Sequence, residues 1–184
     1  LTSHGAVFFD RDGVLIETLV EDGAPIADNN VDSLSFIPGA VEVCESLADA
    51  NITMFMITNQ PDISRGKVLL RDVSEINDVV KKTCRLVDTA MCVHDNDANC
   101  SCRKPKPGMI LELSAKHHID LGRSVVVGDR WRDIDAGANA GCMTIFIDYG
   151  YNETLRTQPT WKVSTMSQAG LILRKHFGID ERGE

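Results

Sequence analysis

The apolar positions come in short runs that stop abruptly at polar residues, separated by stretches with helical spacing. Ala6 to Phe9 is a continuous apolar run ending at Asp10, and the turn-like Arg11-Asp12-Gly13 that follows predicts a buried strand closing at that acid. Pro38-Gly39 opens a helix carrying Val41, Cys44, Leu47 and Ala48 on one side. Ile52 to Ile57 reads as a second strand, closing at Thr58-Asn59-Gln60. Arg71 to Leu86 is predicted helical from Val73, Ile76, Val79, Val80 and Thr83, and Leu86 to Val93 supplies a third strand. Pro107-Gly108 starts a helix that ends before Gly122. Ser124 to Val127 is a fourth strand broken at Gly128-Asp129, Asp133 to Ala140 a small-residue helix, and Met143 to Ile147 a fifth strand.

Strands alternating with helices imply right-handed crossovers and an α/β doubly wound parallel sheet covered on both faces, a Rossmann-like core. With 184 residues, 43% apolar and 25% charged, residues 1–184 are expected to form one domain. The segment from Ile16 to Phe36, with Gly23, Pro25 and Asn29-Asn30 and no strong period, reads as a flap or hairpin, too short for a large cap domain.

In such sheets ligands bind beyond the carboxyl ends of the strands, and Asp10, Thr58 and Asp129 all fall at predicted strand ends. Asp10 and Asp12, one residue apart, fit two jobs: one carboxylate attacks as a nucleophile while the other shuttles a proton. Asp129 adds a third negative charge, and three acids in one crevice call for a hard cation such as Mg2+. Lys104 would balance a bound anion.

Nineteen Lys and Arg against 27 Asp and Glu leave a net charge of -8, which disfavours nucleic acid as a partner. No apolar run reaches the roughly 20 residues of a membrane span, so no membrane association is expected. Residue 1 is Leu rather than Met, which reads as a trimmed or processed start.

Of six cysteines, Cys44, Cys84 and Cys142 stand singly in apolar stretches. Cys92, Cys100 and Cys102 crowd around His94. The pairs Cys92/His94 and Cys100/Cys102 offer four ligands to a tetrahedral Zn2+. With every position filled by protein, such a zinc is structural, and loop 92–102 would pin the segment that delivers Arg103 and Lys104. This cysteine usage predicts a reducing, cytoplasmic setting.

The runs Phe8-Phe9-Asp10-Arg11-Asp12-Gly13-Val14, Ile57-Thr58-Asn59-Gln60, Arg103-Lys104-Pro105-Lys106-Pro107-Gly108-Met109 and Val127-Gly128-Asp129-Arg130 with Asp133 resemble, in type and order, the haloacid dehalogenase superfamily of phosphohydrolases. The resemblance runs from about Ala6 to Ile147. The Cys-x-His and Cys-x-Cys-Arg-Lys-Pro arrangement is most similar to the D,D-heptose 1,7-bisphosphate phosphatase and histidinol-phosphatase subgroup.

That resemblance implies that Asp10 forms an aspartyl-phosphate and that Asp12 protonates the leaving oxygen and then activates water. It implies Mg2+ on Asp10, the backbone carbonyl of Asp12 and Asp129, with Thr58 and Lys104 donating to the transferring phosphoryl group. Asn59, Gln60, Arg103 and Arg130 are the implied substrate-binding residues, Arg130 standing where Lys is expected. The implied substrate is a small phosphorylated metabolite, D-glycero-D-manno-heptose 1,7-bisphosphate ahead of histidinol phosphate. A receiver-like phospho-switch and a non-catalytic zinc-stabilised binding module are the alternatives from other classes.

The remaining features have plain readings. His117-His118, His4 and His176 are expected at the surface, Trp131 in packing or in a substrate wall, and Asp133 and Asp135 as helix-capping or helix-facing residues. Asp133 has a further option in orienting the metal shell. Arg65-Gly66-Lys67 is a solvated turn near the mouth, placed to help a second phosphate.

Overall fold

The computed structural model describes residues 4–21, 24–26 and 33–179. Six parallel strands form the main sheet: β1 (Ala6–Phe9), β4 (Thr53–Asn59), β5 (Asp88–Cys92), β6 (Val125–Gly128), β7 (Met143–Ile147) and β8 (Trp161–Val163). Two short strands, β2 (Leu19–Glu21) and β3 (Ala24–Ile26), pair antiparallel as a separate hairpin. The helices are α1 (Ala40–Asp49), α2 (Leu70–Thr83), α3 (Gly108–His117), α4 (Trp131–Asn139) and α5 (Met166–His176).

β1 and the middle of β4 are continuous apolar runs, as are the valines of β6, because both faces of the sheet are covered. Their period of two divides each run between two cores. Val7, Phe9, Met54, Met56, Val125 and Val127 point to one face and meet α1, α2 and α5. Ala6, Phe8, Phe55, Ile57 and Val126 point to the other and meet α3 and α4.

The sheet runs β5-β4-β1-β6-β7-β8. The chain therefore builds outward from β1 on one side and returns to its other side at β6, so the crevice lies at the carboxyl ends of β4, β1 and β6. Thr58 and Asn59 end β4, and Asp10 and Asp129 directly follow β1 and β6.

Several boundaries differ from the sequence expectation. The second strand extends through Asn59, since its pairing with β5 continues to the Asn59–Cys92 pair. The second helix ends at Thr83 rather than Leu86, because Arg85 adopts a left-handed conformation and turns the chain into β5. The fourth strand is Val125–Gly128, and the helix after it begins at Trp131, two residues earlier than expected.

The largest omission is the region after Ile147, where β8 and α5 complete the sheet and one core. Met166, Ala169, Gly170 and Leu173 give α5 its buried stripe, and the Thr165 hydroxyl caps it by accepting from the Gln168 N–H at 3.2 Å. The 16–36 segment contains the expected hairpin, while residues 22–23 and 27–32 lie outside the described ones. No described helix is long and apolar enough to cross a membrane.

Candidate active site

The β1 carboxyl end opens into a cleft of about 460 Å³ whose floor holds the strand-end acids. Asp10, Asp129 and Asp133 each place a carboxylate oxygen within 4.8 Å of the others. Lys104 reaches in from the loop before α3 with its Nζ 2.7 Å from Asp10 Oδ1, 2.7 Å from Asp133 Oδ1 and 3.1 Å from the Ile57 carbonyl. Asp133, expected only to cap α4 or to orient a metal shell, does more. It is buried, accepts the Arg130 N–H at 3.0 Å and pairs with Lys104.

Two carboxylate oxygens are conspicuous: neither Oδ1 nor Oδ2 of Asp129, both buried, has a hydrogen-bond partner among the described residues. A buried, unpaired carboxylate is costly unless a cation meets it. Three carboxylates against one ammonium leave two negative charges if all are ionised, the complement of one divalent ion. Oxygen donors of this kind suit Mg2+. The donor set thus fits the expected ion.

The electrostatics agree. Burial, followed by the charge of Asp133, raises Asp10 to about 7 against the pull of Lys104. Burial, with Asp10 and Asp133 adding to it, raises Asp129 well above the usual carboxylate range. Burial opposes the Lys104 charge, yet Asp10 and Asp133 outweigh it and hold the ammonium protonated. Gly13 is required beside this floor: its φ is +85°, and a Cβ there would lie 2.1 Å from Asp129 Oδ2.

Asp12 is held apart from the three floor carboxylates. Its carboxylate accepts from Arg11 Nε at 3.1 Å and Nη2 at 3.0 Å, from Gln60 Nε2 at 2.7 Å and from the Thr58 hydroxyl at 3.4 Å. Arg11 is fully buried and donates onward to Asn77 Oδ1 on α2 at 2.9 Å. Neither Arg11 nor Asn77 was singled out from sequence. The available signal was a long cation set between the apolar runs Ala6–Phe9 and Val14–Ile16.

The expected substrate-binding residues Asn59, Gln60, Arg103 and Arg130 all line the cleft, whereas Thr58, expected to donate to the transferring phosphoryl group, does not. Thr58 is buried and turned toward Asp12 and Gln60. The Asn59 amide is committed to the Lys104 backbone, donating to its carbonyl and accepting its N–H, both at 3.1 Å. Arg130 pairs with Glu153 through two nitrogens, one at 2.8 Å. Arg103 donates to Asn96 Oδ1 and to the His94 carbonyl. Arg65 and Lys67 also reach the cleft.

Beside this crevice, Cys92, His94, Cys100 and Cys102 bring their ligand atoms together. Cys92 Sγ is 3.2 Å from Cys102 Sγ, 3.9 Å from Cys100 Sγ and 3.5 Å from His94 Nδ1. A tetrahedral site with bonds of about 2.0–2.3 Å has edges of roughly 3.5–3.8 Å, which these distances bracket. Backbone N–H groups of Arg103 and Cys102 also reach the Cys100 sulfur and help lower its pKa against burial. Burial and the neighbouring thiols push Cys102 up to about 12, so the three sulfurs do not ionise together without a cation.

His117 is corrected to a half-buried residue, its ring tilted against Phe55 and its Nε2 2.8 Å from Asp88 Oδ2. The Trp131 ring carries the guanidinium groups of Arg132 and Arg156. Cys44 and Cys84, read as single thiols, are buried neighbours that hydrogen-bond each other.

The HAD-hydrolase-like family profile matches residues 101–168. A D-glycero-beta-D-manno-heptose-1,7-bisphosphate 7-phosphatase of Helicobacter pylori is 31% identical over 146 residues, 76% of this chain and 80% of the relative. The chain belongs to the haloacid dehalogenase-like phosphatases. It is a phosphoric monoester hydrolase, which sets aside the phospho-switch and the non-catalytic module.

A second relative within that family, the D-glycero-alpha-D-manno-heptose-1,7-bisphosphate 7-phosphatase of Campylobacter jejuni, is 30% identical over 148 residues, 77% of this chain and 81% of the relative. The crystal structure of D,D-heptose 1,7-bisphosphate phosphatase from B. bronchiseptica, complexed with magnesium and phosphate, superposes with a TM-score of 0.80 at 26% identity. It covers 93% of this chain and 98% of that one.

Proposed function

We propose that the protein removes one phosphate from a small sugar bisphosphate, with D-glycero-D-manno-heptose 1,7-bisphosphate as substrate and its 7-phosphate as the group transferred. What carries the proposal is the set of three buried carboxylates and one lysine at the floor of a cleft whose rim is lined by arginines. The names of the relatives in Helicobacter pylori and Campylobacter jejuni support the sugar.

Asp10 is the nucleophile, and its carboxylate forms an aspartyl-phosphate as the substrate oxygen leaves. Lys104, touching Asp10 at 2.7 Å, screens the approach of one anion to another and donates to the phosphoryl oxygens as their charge develops. Asp12 protonates the leaving oxygen, then takes a proton from the water that opens the phosphoenzyme. Arg11, Gln60 and Thr58 are positioning residues that hold the Asp12 carboxylate from three directions. Asn59 positions Lys104 through its backbone.

Asp10 and Asp129 would hold Mg2+, with the Asp12 carbonyl as a further ligand. Bound there, the ion supplies charge neutralisation for the incoming phosphate. Cys92, His94, Cys100 and Cys102 would hold a structural Zn2+ that fixes the 92–102 loop to β5 and so places Arg103 and Lys104. The chain acts as one domain with no large cap among the described residues, the β2–β3 hairpin serving as a flap. Thr18, at its base, lines the cleft.

The test is turnover of heptose 1,7-bisphosphate, histidinol phosphate and p-nitrophenyl phosphate with and without Mg2+. The heptose bisphosphate should show the highest kcat/KM, and every activity should vanish with chelated Mg2+. Preference for histidinol phosphate would overturn the substrate.

A further inference from the structure

The rim of the cleft concentrates positive charge in an acidic protein, and its cations differ in what neutralises them. Arg65 is paired with Asp62 and Asp95, and Arg130 with Glu153. Among the described residues Arg103 hydrogen-bonds to neutral acceptors, the Asn96 amide oxygen and the His94 carbonyl, and the nearby Asp95 carboxylate is itself paired with Arg65. Arg132 has no hydrogen bond or ion pair among the described residues. Its described partner is the Trp131 ring, with the guanidinium carbon 4.8 Å from the centroid.

A ring holds a guanidinium through its face and leaves the N–H donors in the guanidinium plane uncommitted. Those donors form the fork that fits a phosphate. The location is also unfavourable by itself: Arg132 is the second residue of α4, and the positive end of a helix dipole disfavours cations. Burial and then the nearby charges of Arg103 and Arg130 lower its pKa, and the single acid that opposes them, Glu153, is already paired with Arg130. An arrangement that breaks local electrostatic preference, with no acid hydrogen-bonded to the guanidinium among the described residues, fits a group awaiting an external anion.

We propose that Arg132, seated on Trp131, is a specificity-determining residue that joins Arg103 in gripping the phosphate that is not transferred. This rests on the bisphosphate reading given above. The cleft is then bipolar, with a carboxylate floor for the transferring phosphoryl group and its ion, and a guanidinium rim for a second dianion. Trp131 is the positioning residue that orients Arg132.

The readout is the ratio of kcat/KM for heptose 1,7-bisphosphate to that for p-nitrophenyl phosphate, which has no second phosphate. Arg132→Met should lower this ratio by about 10- to 100-fold, chiefly through the KM for the bisphosphate. Arg132→Lys should fall between Met and wild type, and Trp131→Leu should lower the ratio less than Arg132→Met. A ratio in Arg132→Met within twofold of wild type overturns the proposal. If Arg132→Met also lowers the melting temperature, the Lys variant decides, and equal ratios for Lys and Met overturn it. A wild-type enzyme that does not prefer the bisphosphate removes the underlying reading and this proposal together. A wild-type preference for the bisphosphate with an Arg132→Met ratio within twofold of it removes this proposal alone.

Discussion

The two metal-capable clusters stand next to each other yet are built in opposite ways. The carboxylate floor draws Asp10, Lys104, Asp129 and Asp133 from three elements or loops far apart in sequence, and all four are buried. The thiol cluster comes from one stretch of eleven residues at the rim of the sheet, and His94 within it is exposed. The floor exists only after the sheet has formed, so its ion is chosen for chemistry. The thiol cluster closes a local loop, so an ion held there would contribute to order. They are coupled through Asn59, whose backbone pairs with Cys92 and whose side chain fixes Lys104.

Changing Asp10 to Asn tests this division most severely. Turnover should fall by a factor on the order of 10^4 or more, while the melting temperature in the absence of Mg2+ holds or rises, because a buried charge is removed. A large loss of stability would mean that the floor is structural and would erase the contrast.

At the other cluster, Cys100→Ser should lose the bound zinc, near one equivalent in the wild type by elemental analysis. Its melting temperature should drop by roughly 5–10 °C, taking about 2–3 kcal/mol at 2–4 °C per kcal/mol. A variant that keeps its stability but loses turnover would reverse the assignment.

Asn59→Ala probes the coupling. It removes both hydrogen bonds to the Lys104 backbone, and kcat should fall by about 10- to 100-fold with KM changed much less. A change confined to KM would instead make Asn59 a substrate contact.

The smallest effect expected is on pH dependence. Asp10, at about 7 when buried and metal-free, binds its proton more tightly in the folded chain than in the unfolded one, where it titrates near 4. Between those values the folded state carries more protons, so the metal-free protein should lose stability as pH rises from about 4 to about 7. Mg2+ should therefore raise the melting temperature by more at pH 8 than at pH 5. Equal shifts at both values would place the ion elsewhere.

Much of this was written into short stretches of chain. The apolar run Ala6–Phe9 stopping at Asp10, the valines before Gly128-Asp129 and the Cys-x-His, Cys-x-Cys pairs each carry their signal within a few residues. Strand ends and knuckle-like ligand spacings are local in origin. The bounds of β1 and β7 matched for the same reason. The α5 stripe was equally local, with Met166, Ala169 and Leu173 at helical spacing, but lay beyond the motif-bearing region.

The remainder depends on which distant groups meet. Asp133 as a partner of Lys104, Arg11 buried between Asp12 and Asn77, and Thr58 facing Asp12 rather than the cleft all arise from side chains brought together across β1, β4, β6 and their helices. Sequence determined the residue types at the strand ends and the local grouping of three thiols with one imidazole. Only the tertiary structure decided which carboxylates stay unpaired and which arginines find an acid, because pairing is set by distances between segments that the chain order does not encode.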